Sequence, residues 1–426
     1  MVNSTAGQAL TPWARLVQRR IAPVAAVAAV MALTISLAIG GAAAAPNAGA
    51  AVARTPALAS AVPKYYVALP GGDNFGNVPG SATAVVGDTN TGKRLLTVRP
   101  SGKDKFVSVS AAADDTTFVL GGNPDPEASL PTVAPPTDWY LVQIKPGSKV
   151  SATVRKLRFP APAKNSFVDA TALSPNGREV AVVGVNDYAD AKQPLEWLRI
   201  YSVATGALLR SWSGYLNVNW EVYTTLSWTS GGRSLAIGYT FTVGTTKVWE
   251  YLGVRTLNVN SKGNSLISGS KLVWKRLLRN SWFGSPTPLN CALDIRVVVS
   301  ADGSVVCSAF GSLRNYNPDV TGGTTGSAPT CPSVPPWASL GFLSFSTVTG
   351  KQSTVFQYDT NCDAESDVLW TSASGDAVIG YYALGSLFPG STQTVRFGVF
   401  SHDKYSQLPA PPTTTTVPET IAWLRC

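Results

Sequence analysis

From about residue 64 the apolar positions fall into short runs broken by small polar turns, and the pattern recurs. An apolar strand ends in a Ser/Asp/Gly turn, and a second apolar strand follows at once. Copies are TALSPNGREVAVVG (171–184), TLSWTSGGRSLAIGY (225–239), VVVSADGSVVCSAF (297–310) and LWTSASGDAVIGYY (369–382), with a looser one in VSVSAAADDTTFVLGG (107–122). Each predicts a β-hairpin, because the turn reverses the chain between strands that alternate or run apolar. A second hairpin follows each first one after a variable connection. AVVGDTNTGKRLLTV (84–98), LRIYSVATGALLRSW (198–212) and LSFSTVTGKQSTVF (343–356) turn at Thr-Gly. YLVQIKPGSKVSATV (140–154), VRTLNVNSKGNSLI (254–267) and FGVFSHDKYSQLP (397–409) fit more loosely.

Hairpin plus hairpin makes a four-stranded antiparallel sheet, and radial repetition of such sheets hides their edges. The expected fold is therefore all-β: a six-bladed β-propeller, with a seventh, degenerate blade as the alternative count. At about 60 residues per blade the units exceed the roughly 40–45 of a WD40 repeat, and the excess falls in connections such as 121–137 and 311–338. The first unit has YYVAL (65–69) and the hairpin 84–98 but lacks an innermost strand. ETIAWL (419–424) resembles the inner strands that hold Trp228 and Trp370. It is expected to complete the first blade and close the ring.

Ahead of the repeats, Ile21 to Gly41 contain no charged side chain, and Arg15, Arg19 and Arg20 precede them. About 20 apolar residues cross a bilayer, and the positive flank stays in the cytoplasm. This predicts a cytoplasmic tail (1–20), one transmembrane helix (21–45), an Ala/Pro-rich tether (46–63) and an extracytoplasmic propeller (64–426). The competing reading is a signal peptide, cleaved near Ala48-Gly49-Ala50 or Ala51-Val52-Ala53, which would leave the domain secreted.

SPNGREVAVVG, SADGSVVCSAF and SASGDAVIGYY resemble the PD40 or TolB-type repeat, marked by a Ser-Pro-Asp-Gly turn before an apolar strand. Over about residues 64–424 the chain resembles an actinobacterial family of membrane-anchored, WD40-like propellers with a Tyr-Tyr-Val first strand and a terminal Ile-Ala-Trp. Only Ser174-Pro175 keeps the Ser-Pro of the turn, and no copy has the Trp-Asp dipeptide. The resemblance implies a fold and a membrane address, and no reaction.

Charge changes this picture little. The net charge is +9, but four arginines (Arg15, Arg19, Arg20 and Arg54) precede residue 60, where no acid occurs. The remainder is mildly basic, which suits an anionic envelope surface and is no nucleic-acid signature. Candidate chemistry is sparse. GDTNTGKR (87–94) nearly matches a P-loop, but Arg94 stands where Mg²⁺ needs Ser or Thr and a strand follows, so it reads as a hairpin turn. His402 is the single histidine, which leaves one possible base for a triad and excludes a multi-histidine metal site. Asp363, Glu365 and Asp367 alternate in the connection before the sixth blade, a spacing that offers oxygens to Ca²⁺ but without the Gly turn and distal Glu of an EF-hand. Asp73, Asp187, Asp190 and Glu221, on connecting loops, are the candidates for paired acid–base carboxylates. KLVWKRLLRNSWF (271–283) mixes basic and apolar residues as a lipid- or polymer-binding stretch does, or as an outer strand with its exit loop.

Trp220, Tyr223, Trp282 and Trp337, together with Trp139, lie near the ends of expected connections and are the candidate ligand contacts, since Trp and Tyr are enriched in binding hot spots. Of five cysteines, Cys307 falls inside an apolar strand and is expected as a buried thiol. One disulfide is expected among Cys291, Cys331 and Cys362, whose connections share one face, and Cys426 is expected to be free. No zinc-ligand spacing occurs, and no cofactor is called for. The expected function is a non-enzymatic binding or scaffold module presenting loops to a protein, peptide or cell-envelope ligand. The alternative is an extracytoplasmic hydrolase or lyase that uses acidic loop residues.

Overall fold

Valine-rich runs with both faces apolar form strands buried on both sides, and in this chain they assemble into six antiparallel sheets. The computed structural model describes residues 63–69, 81–124, 137–160, 166–186, 195–214, 221–243, 249–278, 290–291, 297–312, 338–360, 364–372, 374–384, 394–402, 404–407 and 421–422. All belong to one compact unit, Leu58–Gly244 with Val248–Cys426. The expected anchor and all but the last residue of the tether lie outside the described residues. Among those described, no helix is long and apolar enough to cross a membrane.

The first blade contains β1 (Tyr65–Ala68), β2 (Ala84–Asp88) and β3 (Arg94–Val98). The second is β4 (Lys105–Ala111), β5 (Thr117–Asn123), β6 (Asp138–Lys145) and β7 (Ser151–Lys156). The third is β8 (Ser166–Leu173), β9 (Glu179–Asn186), β10 (Glu196–Ser202) and β11 (Leu208–Gly214). The fourth is β12 (Glu221–Thr229), β13 (Ser234–Val243), β14 (Trp249–Asn258) and β15 (Ser270–Leu278), with a short helix α1 (Leu266–Gly269) before β15. In the fifth, β16 (Asn290–Cys291) and β17 (Val297–Val299) both pair with β18 (Val305–Ser312), followed by β19 (Ala338–Phe345) and β20 (Gln352–Thr360). The sixth is β21 (Ala364–Thr371), β22 (Ala377–Leu384), β23 (Thr394–Ser401) and β24 (Lys404–Gln407). From the far end of the chain β25 (Ile421–Ala422) pairs antiparallel with β1, with Ala422 opposite Val67 and Ile421 opposite Ala68. The protein is a six-bladed β-propeller.

Alternation within one strand serves two neighbours. In β9, Val180 and Val182 pack with Val119 and Leu141 of the second blade, while Ala181 and Val183 pack with Leu226 and Ile237 of the fourth. In β18, Val305, Cys307 and Ala309 join Ala236 and Val254 of the fourth blade, and Val306 joins Val378 and Phe400 of the sixth. Hence the middle strands read as unbroken apolar runs, while β7 is exposed along most of its length.

The recurring turn has a physical cause. The hydroxyls of Ser174, Ser300 and Ser372 accept the backbone N–H of Glu179 (2.9 Å), Ser304 (2.9 Å) and Ala377 (3.1 Å). Gly177, Gly303 and Gly375 follow at φ 68°, 93° and 74°, where a Cβ is strained. In the second blade Asp115 takes that position at φ 62°. Asp tolerates the left-handed region better than most residues, so the looser copy at 107–122 still turns.

Two local features differ from the sequence expectation. The hairpin read at 254–267 does not contain its own second strand. Ser265 caps α1 there, accepting the Ser268 N–H at 3.3 Å, and the strand starts later, at Ser270. The cysteine assignment is also corrected, because Cys307 is no thiol and forms a disulfide with Cys291. In the fifth blade β16 sets Cys291 opposite Ala309. Cys307 is then the diagonal neighbour on the same face, with a Cα–Cα distance of 5.6 Å, inside the bridging range. Cys331, Cys362 and Cys426 lie outside the described residues.

Candidate functional site

The turns of neighbouring blades touch. Ala113 N donates to Pro175 O at 3.0 Å, joining the β4–β5 and β8–β9 turns, and Ser230 N donates to Ala301 O at 2.9 Å between the fourth and fifth blades. The tight turns therefore gather at one end of the ring. Because strands alternate in direction, the connections β1–β2, β5–β6, β9–β10, β18–β19 and β22–β23 start and finish at the opposite end, as do those leading from blade to blade. The contrast in length is large. Residues 313–337 separate β18 from β19, whereas 346–351 separate β19 from β20.

The candidate contacts distribute accordingly. Trp220, Trp282 and Trp337 lie outside the described residues, in connections whose flanking strands end at the long-connection end. Tyr223 is in β12, opposite Tyr239, rather than in a loop. Trp139 is no surface aromatic: it is 2% exposed in β6, and its ring lies 5.5 Å from that of Phe159 in the core between the second and third blades. Its position after a long connection resembled a loop tip, but the strand begins one residue earlier.

The acidic candidates move as well. Glu365 and Asp367 are residues of β21, opposite Ala383 and Tyr381, and not of a loop. Glu221 is the first residue of β12, opposite Phe241. Asp73, Asp187, Asp190 and Asp363 lie outside the described residues. Asp169 escaped the sequence reading. It sits at a bulge in β8, where the register shifts between Val168 and Ala170. The inner strands of the second and fourth blades bulge at the matching position, Val107 and Thr224. A bulge leaves no mark in an apolar pattern, so nothing in the sequence announced it. Further along the inner strands the hydroxyls of Thr171, Thr225 and Ser227 have no hydrogen-bond partner among the described residues. Those residues also hold no group of three or more His, Cys, Asp or Glu able to bind a metal.

The resemblance to a P-loop resolves into a hairpin turn. Gly92 N donates to Asp88 O at 2.7 Å, and Thr91 N donates to the Asp88 carboxylate at 2.9 Å. His402 occupies the β23–β24 turn at φ 50°, exposed. Its Nδ1 is 2.7 Å from Ser401 Oγ, which also lies 3.1 Å from Asp376 O.

No known family model matches the sequence, and no curated relative does. The solved structures similar to this chain are β-propellers. Puromycin hydrolase shares 12% identity at a TM-score of 0.40, over 83% of this chain and 54% of its own. The periplasmic gluconolactonase PpgL of Pseudomonas aeruginosa shares 12% at 0.34, over 81% of this chain and 98% of its own. The β-propeller domain of the Trilobed protease from Pyrococcus furiosus shares 7% at 0.35, over 82% of this chain and all of its own (100%). These likenesses carry no reading of activity.

One titrating group lies at the turn end. The Asp115 carboxylate accepts the backbone N–H of Lys64 (2.5 Å) and Tyr65 (3.1 Å), tying the second blade to the start of β1. Burial pushes its pKa up to about 6 from the ordinary 3.8. Neighbouring Asp114 adds to the rise, while the two N–H donors and the Lys64 ammonium oppose it. The folded chain thus holds this proton more tightly than the unfolded chain. The charged carboxylate costs stability above about pH 6, and that cost is relieved as the pH falls towards 3.8. Melting temperatures of the protein and of Asp115→Asn, compared from pH 7.5 to 4.5, are expected to diverge in the protein's favour as the pH drops. A difference that stays flat across this range would show that Asp115 titrates ordinarily.

Proposed function

We propose that the chain is an extracytoplasmic, membrane-anchored binding or scaffold module, and not an enzyme, presenting its long connections to a protein, peptide or cell-envelope ligand. The supporting observation is the gathering of the long connections at one end of the ring, the end at which the segments bearing Trp220, Trp282 and Trp337 start and finish. Large aromatic side chains on a rigid frame are efficient binding anchors, because little conformational freedom is lost when they engage.

A thermal-shift panel of divalent metals, sugars, wall fragments and nucleotides tests this reading. A ligand at about 100 times its Kd adds roughly 2.7 kcal/mol of stability. Stabilisation by one class without turnover, or crosslinking to a protein partner at this end, is the expected result. Protease added to intact cells should digest the propeller; digestion only after lysis would place it on the cytoplasmic side.

The second reading, a hydrolase or lyase, rests on one observation. Asp169, Glu221, Glu365 and Asp367 all fall on inner strands, ahead of the turn ends. Turnover of any panel compound that Glu221→Gln abolishes would favour it.

A further inference from the structure

The outer wall of the propeller repeats a junction. Where the last strand of one blade meets the next blade, an arginine donates to the carbonyl after that blade's third strand. Arg155 Nη2 reaches Val203 O at 3.2 Å between the second and third blades, and Arg210 Nε reaches Val259 O at 3.3 Å between the third and fourth. Two residues on, a buried apolar side chain plugs each junction, Leu157 in one and Trp212 in the other.

The surroundings of these plugs differ. Ser211 and Ser213 flank Trp212, and Ser213 N donates to Asn264 O at 2.7 Å, which seals that junction. Lys156 and Arg158 flank Leu157, and both are exposed. Here a cleft of about 370 Å³ opens, lined by Arg155, Lys156, Arg158, Ala204, Thr205 and Gly206.

The chain around Arg158 is held in place. Phe159 stacks on Tyr201 with ring centroids 4.9 Å apart, so Arg158 stands between two packed apolar neighbours. Gly206, at φ 77°, lets the turn close on the backbone of Arg158, whose carbonyl oxygen a Cβ would overlap. Lys156 turns to the other face of β7, where its Nζ lies 2.9 Å from the Asp138 carboxylate and 3.6 Å from that of Asp104, over the Tyr140 ring. Among the described residues no carboxylate pairs with Arg155 or Arg158. Positive charge on outer strands also discourages edge-to-edge association. That role does not explain the opening, and the sealed junction shows that the site can do with serines.

We infer that this cleft binds a phosphoryl group. The side chains of Arg155 and Arg158 border a space walled otherwise by small residues. Arg155 spends one donor on Val203 O and keeps the rest, and the Thr205 hydroxyl adds another polar atom. A tetrahedral oxyanion meets donors from several sides, whereas a carboxylate offers only two oxygens, and guanidinium forks match phosphate oxygens in pairs. The volume exceeds that of a bare phosphate ion and accommodates a phosphorylated polyol.

The test is calorimetric titration of the full chain with inorganic phosphate, glycerol 3-phosphate, glycerophosphoglycerol and acetate. Saturable binding of the phosphate compounds is expected, with at least a tenfold loss in Arg158→Ser, which copies the sealed junction and leaves Arg155 and Lys156 in place. Lys271→Ser, on the exposed outer strand of the fourth blade, removes an equal charge and should retain affinity. Matching melting curves show that both variants fold. Preference for the monoester or the diester then tells a soluble phosphomonoester from a polymer or lipid linkage. Equal losses in the two variants, acetate binding as tight as phosphate, or no saturation at millimolar phosphate would each overturn the inference.

Discussion

Trp228→Ala is expected to lower the unfolding free energy by about 3–5 kcal/mol, the usual cost of emptying a large aromatic site in a close-packed core. Trp228 is 2% exposed and sits between the third and fourth blades with Ala172, Leu198, Leu226 and Leu235. Its indole Nε1 donates to Ala172 O at 3.1 Å, so the ring joins the inner strands of two blades by packing and by a hydrogen bond. Trp228→Phe keeps much of the volume and loses the donor. It should cost about 1–2 kcal/mol, and urea unfolding separates the two effects. A loss below about 1 kcal/mol in the alanine variant would mean that the blades do not depend on this contact.

Deleting residues 417–426 is expected to destabilise the whole domain by about 2–4 kcal/mol. β25 pairs with Val67 and Ala68, residues with almost no exposure, and its loss uncovers the edge of β1. The same edge would then be a template for association between chains. Melting and sedimentation of the truncated protein should show a lower transition and added self-association. An unchanged transition would show that the ring holds without its closing strand.

Most of the blade pattern was legible because every hairpin carries its own punctuation. SPNG, SADG and SASG each combine a serine that can bind the chain after the turn with a glycine for the left-handed position, and both jobs are local. The weaker copy in the second blade became clear only with the backbone of Asp115, since a positive φ at an aspartate has no mark in composition. The candidate site was less legible. Trp139 resembles Trp220 or Trp282 in the sequence, yet it lies in the core, because the faces of a strand are distinguished by what packs on them.

The same limit accounts for the disulfide. Cys291 and Cys307 are separated by 16 positions, as many other pairs are, and only the pairing of β16 with β18 brings them to diagonal positions. The cleft between the second and third blades needed the fold as well: Arg155 and Arg158 are ordinary cations at an outer strand until the turn at Gly206 closes on the backbone of Arg158. From residue order alone came what depends on near neighbours: strands, turns, repeat number and the all-β class. The tertiary structure decided what depends on residues brought together from distant positions, namely the disulfide partner, which aromatics are buried, where the inner strands bulge and which junction stays open. Turn chemistry and apolar periodicity act within a few residues, whereas these features arise from contacts between separate strands and blades.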